Sequence, residues 1–200
     1  MSRRANSSEE SIQRDRKLVE EVQLQKSDAF DALMIRYKDM VFNLCYRLLG
    51  DYDEANDCAQ ETFIKVYRNV KSFKFKSSLS TWIYRIAVNT CKNHLSSATR
   101  RFQIKAVRLG NPAREGEPPL EIRDVSQNPA SLFERGEEQQ AIQRAIESLP
   151  PRKRILVVLR DVEGKSYEEI ARITGLKAGT VKSTLARARE QLRQQLKGII

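Results

Sequence analysis

The chain has 200 residues, of which 36 are lysine or arginine and 26 are aspartate or glutamate, so its formal net charge is +10. This length accommodates one large or two small domains, and the positive charge favours an anionic partner, either nucleic acid or a membrane surface. No apolar run approaches the roughly 18 residues of a membrane span, and the N-terminus has no signal-peptide pattern. We therefore expect a cytoplasmic protein that does not insert into membranes.

Residues that commonly carry catalysis or bind metals are few. The three cysteines, Cys45, Cys58 and Cys91, fall in helical patterns without CxxC spacing, so they predict buried thiols and indicate neither a disulfide framework nor a zinc site. The one histidine, His94, leaves little scope for histidine-based catalysis or metal binding. We therefore expect no catalytic residue, no metal ion and no cofactor.

Residues that interrupt helices are rare in the first half. Glycine and proline are absent between Asp51 and Leu109, and all six prolines lie at or after Pro112. No alternating strand pattern of useful length is present, so the predicted fold class is all-α, with two small helical domains joined by a flexible linker. Residues 1–26 are polar and mixed in charge, which predicts a tail with room for a short helix from Ser8.

The first predicted domain spans residues 27–98. Its first helix begins at Ser27 or Asp28 and ends at Gly50, and its second runs roughly over residues 54–70. Apolar residues at helical spacing predict the buried stripes of these two helices: Phe30, Leu33, Met34, Tyr37, Val41, Leu44, Cys45 and Leu48, then Ala55, Ala59, Phe63, Val66 and Val70. The second helix begins with acidic and polar residues, an order that the helix dipole alone favours and that also suits a protein-docking face.

The stretch from Thr62 to Arg114 has twelve basic residues and no acidic one, which is typical of a surface for a polyanion. Residues 73–78 alternate aromatic and basic side chains and predict a loop. The following helix, over residues 80–94, is apolar except for one polar stripe with Trp82 at its edge: Arg85, Asn89, Lys92 and Asn93. Such residues bind base edges and stack on unpaired bases, whereas the alternative is a core helix with an ordinary solvated face.

Residues 99–137 are predicted to form a linker that is acidic from about residue 110. Between residues 110 and 139 the chain has four prolines, three glycines and seven acidic residues against three arginines. This composition, with no sustained period, is typical of an extended segment between domains.

The second predicted domain, residues 138–197, has the pattern of a four-helix helix-turn-helix domain. Ser166 and Glu169 form a capping box that begins a helix. Three further positions have the helix-turn-helix spacing, with a small residue at the crossing, a turn residue tolerant of positive φ and an apolar residue facing the core: Ala171, Gly175 and Val181. An ordinary amphipathic hairpin with a basic outer face is the alternative.

Three blocks of the chain, in this order, resemble the extracytoplasmic-function (ECF) sigma factors, the small two-domain initiation factors of bacteria. The blocks are Asp53–Lys74 (DEANDCAQETFIKVYRNVKSFK), Ser80–Ser96 (STWIYRIAVNTCKNHLS) and Ser166–Glu190 (SYEEIARITGLKAGTVKSTLARARE). The resemblance covers about residues 27–98 and 138–195, and the linker and total length also match.

The resemblance implies three sets of binding residues. Core RNA polymerase would be bound by Asp53, Asp57, Gln60, Glu61 and Phe63. The minus-ten promoter element would be melted and captured by Phe73, Lys74, Lys76, Ser77, Ser80, Trp82, Arg85, Asn89, Lys92 and Asn93. The minus-thirty-five element would be read by Thr180, Lys182, Ser183, Ala186, Arg187 and Arg189.

The resemblance also implies no intrinsic catalysis, an anti-sigma partner, and a chain that is monomeric when free or bound to polymerase. A stand-alone helix-turn-helix regulator is the alternative function, and tight sequence-specific DNA binding by the protein alone would favour it. An enzyme acting on DNA is a further rival, but residues 62–114 have no carboxylate for a metal and no visible general base beside their serines.

Overall fold

The computed structural model of the chain describes residues 2–26, 28–108 and 140–197. The N-terminal half consists of α1 (Ser2–Gln23), α2 (Ala29–Leu49), α3 (Tyr52–Asn69), a 3-10 turn (Val70–Ser72) and α4 (Leu79–Arg108). The C-terminal half consists of α5 (140–147), α6 (Pro151–Val157) continuing into a π-helical turn (Val158–Val162), α7 (Tyr167–Thr174) and α8 (Ala178–Leu196). These described ranges contain no strand, which confirms the all-α class. They also contain no helix apolar enough over a sufficient length to cross a bilayer.

Local sequence signals account for the ends of several helices. The backbone of Gly50 has φ of +83°, a left-handed conformation that favours glycine, and its N–H donates to the Tyr46 carbonyl to end α2. Asp51 caps α3 by accepting from the Glu54 N–H at 2.8 Å. Ser166 and Glu169 form the predicted capping box at the start of α7, with the Ser166 N–H donating to Glu169 Oε2 at 2.8 Å.

The N-terminal segment, predicted as a polar tail with room for a short helix from Ser8, forms a longer helix, α1, over residues 2–23. Val19 and Val22 of α1 are buried against the other helices. Asp15 accepts hydrogen bonds from Arg36 Nε at 2.8 Å and from the Tyr37 hydroxyl at 2.7 Å. These tertiary contacts, rather than a strong apolar period, fix α1 on α2.

The helix predicted over residues 80–94 is longer in the structure, since α4 continues through Arg108 into residues assigned to the linker. No glycine or proline interrupts the sequence before Gly110, so nothing in the chain ends the helix earlier. The remaining linker residues, 109–137, lie outside the described residues.

The two helical halves pack against each other through α4. Tyr84 on α4 is 4% exposed, and its hydroxyl donates to Glu163 Oε2 at 2.6 Å, just after the π-helical turn. Arg154 on α6 reaches the end of α2 and donates through Nη1 to the Leu48 carbonyl at 2.8 Å. The buried side chains of both halves consequently form one continuous apolar cluster.

Candidate nucleic-acid and protein interfaces

The loop between α3 and α4 surrounds a cavity of about 350 Å³. Phe73 and Trp82 lie against each other at its base, with ring centroids 5.0 Å apart. Ser78 ends the loop and begins α4, because its Oγ accepts from the Thr81 N–H at 3.2 Å. The remaining lining consists of Ser72, Lys74, Lys76, Ser77, Thr81, Arg85 and Arg172. The cavity therefore has an aromatic base and a basic rim.

Two aromatic residues predicted to contact the minus-ten element are more buried than the sequence indicated. Trp82 was predicted at the edge of the polar stripe, but it is 9% exposed, and Phe73 is 8% exposed. At 100° per residue, Trp82 lies at the boundary between the polar stripe and the apolar face of the helix. Its ring packs against Phe73 and is thereby buried. Phe75, which the sequence did not single out, is 40% exposed and has a left-handed backbone with φ of +53°. Its ring contacts Phe73 edge-on with centroids 5.0 Å apart, so it is the accessible aromatic side chain of this loop.

The polar stripe of α4 is solvent-exposed at all four of its predicted positions, Arg85, Asn89, Lys92 and Asn93. The predicted loop residues Lys74 and Lys76 are exposed, and Ser77 and Ser80 are half-buried. These residues continue the α4 stripe onto the loop, so basic and amide groups form one surface from the cavity along the helix.

Part of this stripe faces the C-terminal half of the molecule. Asn89 and Lys92 line a second cavity, of about 390 Å³, together with Pro151 and Leu176 from across the domain boundary. Arg172 of α7 similarly reaches the rim of the loop cavity. In this arrangement the C-terminal half therefore lies beside the polar stripe of α4, whose side chains stay solvent-exposed.

The predicted helix-turn-helix consists of α7 and α8. Gly175 ends α7 in a left-handed conformation with φ of +73°, and Val181 is fully buried on the inner face of α8, as the spacing predicts. The outer face of α8 exposes Lys182, Ser183, Ala186, Arg187 and Arg189, while Thr180 is half-buried. Arg189 is already engaged, because its Nε donates to Asp161 Oδ2 at 3.2 Å.

A third surface is an apolar groove of about 670 Å³ between α2 and α3. Ile35 is 64% exposed, Ile64 50% and Tyr67 60%, values unusual for large apolar side chains. The groove is lined by Phe30, Met34, Ile35, Lys38, Asp39, Phe42, Asn56, Ala59, Gln60, Phe63, Ile64 and Tyr67. Most of these residues were not predicted from the sequence to bind a partner. Ile35 and Ile64 lie next to the predicted core stripes rather than on them.

The residues predicted to bind core polymerase divide between different faces of α3. Gln60 and Phe63 line the apolar groove, whereas Asp53 and Asp57 are exposed outside its lining. Glu61 pairs instead with Lys65 Nζ of its own helix at 2.8 Å and, across to α4, with His94 Nε2 at 2.9 Å. Hydrogen bonds from Lys65 and then His94 hold the pKa of the Glu61 carboxyl below its ordinary value. Glu61 is thus part of a helix–helix contact.

Comparison with known proteins identifies both halves of the chain. A family model described as "Sigma-70 region 2" matches residues 33–101, and one described as "Sigma-70, region 4" matches residues 139–192. The sequence is 37% identical over 188 residues to the RNA polymerase sigma-H factor of Pseudomonas aeruginosa, spanning 94% of this chain and 96% of that protein. It is 40% identical over 189 residues to the ECF RNA polymerase sigma-E factor of Escherichia coli K12, spanning 93% and 96%.

A solved structure has a similar fold. The sigma factor RpoE of Bartonella quintana, co-crystallised with the anti-sigma factor NepR, has a TM-score of 0.61 to this chain at 24% sequence identity. The superposition covers 86% of this chain and 98% of that one, so the likeness extends over both helical halves.

Proposed function

Since this chain belongs to the ECF family of RNA polymerase sigma factors, we propose that its three surfaces divide the work of promoter-specific initiation. The protein is a promoter-recognising sigma factor. In our proposal it has no catalytic activity of its own and acts with core polymerase in the cytoplasm as a single copy. The observation that carries the division of roles is the presence of one apolar groove and two separate basic or amide-bearing surfaces on one chain.

The α2–α3 groove is the proposed docking site for core RNA polymerase. Large apolar side chains exposed together mark protein-binding surfaces, and a groove between two helices fits an apolar helix face. Gln60 and Phe63 provide the predicted contacts inside the groove, and Ile35, Ile64 and Tyr67 add most of its exposed apolar surface. The exposed carboxylates of Asp53 and Asp57 would contribute at the rim, where they affect the association rate more than the affinity.

The loop cavity and the α4 stripe are the proposed minus-ten surface. Lys74, Lys76 and Arg85 supply positive charge for the phosphates, and Asn89 supplies an amide that hydrogen-bonds base edges. A cavity of about 350 Å³ with aromatic rings at its base suits a base that has left the stack. Trapping such a base offsets the unstacking cost of a few kcal/mol, which is how this surface would promote melting.

The outer face of α8 is the proposed minus-thirty-five surface. A helix-turn-helix inserts its second helix into the major groove, where arginine and lysine contact guanine or phosphate. Lys182 and Arg187 can contact DNA directly because both side chains are exposed. Arg189 would first have to break its hydrogen bond with Asp161. Ala186 offers only a methyl group, which suits a thymine methyl more than a hydrogen-bonding base edge.

The two DNA-binding surfaces have to separate before they act together. Asn89 and Lys92 line the cavity beside the C-terminal half in the packed arrangement, so promoter DNA that approaches these exposed side chains would meet that half. Docking on polymerase would hold the two halves apart at a fixed spacing. Holding both on one scaffold raises the effective concentration of the second surface once the first has bound.

We further propose that an anti-sigma factor regulates this chain. The Bartonella quintana sigma factor with the similar fold was crystallised in complex with one, which supports a partner of the same class here. Such a partner is expected to prevent this chain from binding core polymerase, measured by competition in a pull-down with purified components. Simultaneous binding of both partners would contradict regulation by exclusion from polymerase.

The experiment that tests the proposed function is in-vitro transcription with bacterial core polymerase on a genomic promoter library, followed by sequencing of the run-off products. Specific start sites that appear only when the protein is added support the proposal, and their shared upstream motifs identify both recognition elements. Footprinting of DNA by the protein alone, without binding or redirecting core polymerase, would instead establish the stand-alone regulator.

A further inference from the structure

Three cysteine side chains from three helices converge in the core of the N-terminal half. Cys45 lies on α2, Cys58 on α3 and Cys91 on α4, and all three are fully buried. The Sγ atoms of Cys58 and Cys91 are 3.3 Å apart, and those of Cys45 and Cys91 are 3.6 Å apart. All three sulfur atoms lie within 4.8 Å of one another. None of the surfaces assigned to polymerase or DNA uses these thiols.

A histidine and a carboxylate lie one helical turn beyond two of the thiols. His94 follows Cys91 by three residues on α4, and Glu61 follows Cys58 by three residues on α3, so each pair shares a helix face. His94 Nε2 is 2.9 Å from Glu61 Oε2. This contact occupies Nε2, so Nδ1 is the ring nitrogen that remains available to bind a metal. A carboxylate that orients a histidine through one nitrogen is the usual outer shell of a metal-bound histidine.

We propose that Cys45, Cys58, Cys91 and His94 form a binding site for a thiophilic divalent cation of the zinc class. Three thiolates and one imidazole are an established structural zinc donor set with tetrahedral geometry. A Zn–S distance of about 2.3 Å in a tetrahedron separates the sulfur atoms by about 3.8 Å. The observed separations of 3.3 Å and 3.6 Å are shorter than that value by about 0.5 Å and 0.2 Å, and all three sulfur atoms lie within 4.8 Å of one another, so binding requires only small side-chain shifts.

Binding has a defined proton balance. Each of the three thiols releases one proton to solvent, three Zn–S bonds form, and the neutral imidazole donates its Nδ1 lone pair without losing a proton. His94 is not among the residues whose ligand atoms lie within 4.8 Å of one another, so its side chain, which is 31% exposed, would have to turn toward the thiols to complete the site. The bound cation would tie α2, α3 and α4 together, and these helices carry the groove and the α4 stripe.

The competing interpretation is that the cysteines are three ordinary small core residues, which are often buried. That interpretation predicts packing but not metal uptake. It also gives no reason for one thiol from each of three helices to meet at one point.

The test uses the full-length protein, fully reduced and freed of metal with a chelator. Zinc is then added in competition with a chromophoric chelator, and Co²⁺ serves as the spectroscopic probe of thiolate coordination and four-coordinate geometry. We expect one equivalent of zinc per chain and a Tm higher by about 5–10 °C when zinc is at about 100 times its dissociation constant. We expect Cys58→Ala and Cys91→Ala to abolish uptake. His94→Gln should keep the thiolate-to-cobalt absorption but weaken zinc binding about 10- to 100-fold.

Thr62→Val is the matched control, because Thr62 is equally buried one turn after Cys58 but offers no soft ligand. It should lower the Tm without changing the zinc stoichiometry. The proposal is wrong if the reduced, folded wild-type chain takes up no zinc, or if Cys91→Ala takes up as much as wild type. These readouts need neither polymerase nor promoter, so they are independent of whether the proposed division of the three surfaces holds.

Discussion

Glu163 connects the two halves of this sigma factor, and Glu163→Ala should separate them. Its Oε2 accepts a hydrogen bond from the Tyr84 hydroxyl at 2.6 Å, and its Oε1 pairs with Arg47. The glutamate side chain is only 13% exposed, so both contacts are largely shielded from water. A hydrogen bond to a charged group contributes about 1.5–3 kcal/mol, and a partly exposed ion pair about 0.2–1 kcal/mol. Their sum of about 2–4 kcal/mol corresponds to a shift of about 30- to 1000-fold toward separated domains.

The assay is small-angle scattering of the purified full-length chain, combined with its binding to a fluorescent single-stranded oligonucleotide in the absence of polymerase. We expect a larger radius of gyration for Glu163→Ala, because the C-terminal half is released from α4. We also expect tighter oligonucleotide binding, because Asn89 and Lys92 no longer face the C-terminal half. Glu168→Ala is the matched control, since Glu168 is an exposed glutamate of α7 and its removal changes the net charge equally.

Some interdomain contacts survive the substitution, including Lys165 Nζ over the Tyr84 ring at 4.3 Å and Arg154 on the Leu48 carbonyl. If these alone hold the halves together, the double variant Glu163→Ala/Arg154→Ala should complete the separation. An unchanged radius of gyration in both variants, or an equal change in Glu168→Ala, would refute the argument that these contacts close the molecule.

Further predictions concern the individual surfaces. Ile64→Glu should weaken core polymerase binding at least 10-fold by placing a charge in the apolar groove, whereas Ile12→Glu, at a similarly exposed isoleucine of α1, should not. Asn89→Ala should reduce transcription from duplex promoters about 10-fold but not from a pre-melted template, with the exposed Asn43→Ala as control. Arg187→Ala should cost about 1–3 kcal/mol of promoter binding in an electrophoretic assay of the holoenzyme and leave core binding unchanged. The hydrogen bond from the Ser166 backbone N–H holds the pKa of the Glu169 carboxyl below its ordinary 4.5. Its stabilising effect is therefore present at neutral pH and lost as the pH falls through the lowered pKa. The Tm of Glu169→Gln should consequently depend less on pH in that range.

Features governed by local rules could be predicted from the sequence. Gly50 and Gly175 end helices because each adopts a left-handed backbone that other residues rarely adopt. The capping box of Ser166 and Glu169 and the polar stripe of α4 depend only on spacing along the chain, and both are present. The residue-level assignments to polymerase and to the two promoter elements remain predictions.

Features that depend on contacts between distant segments could not be predicted. The helix α1 is fixed by Asp15 meeting Arg36 and Tyr37, residues more than twenty positions away. The apolar groove depends on exposed residues beside the core stripes, whereas the sequence drew attention to the acidic residues of the same helix. The three thiols lie far apart in the sequence, and only the packing of three helices brings them within 4.8 Å.

The placement of the contacts on α4 sets a thermodynamic limit on how this factor works. Tyr84 holds the C-terminal half, while Asn89 and Lys92 on the same helix belong to the proposed promoter surface and line the cavity beside that half, so we propose that closure hinders promoter binding. Any partner that binds only the packed arrangement must then lower the affinity for promoter DNA. Promoter DNA must in turn lower the affinity for that partner by the same factor. A partner that binds both arrangements equally cannot shift the balance, however tightly it binds. In this proposal core polymerase would activate the factor by binding the separated arrangement more tightly, and the contacts of Glu163 and Arg154 would set how much more tightly it must bind.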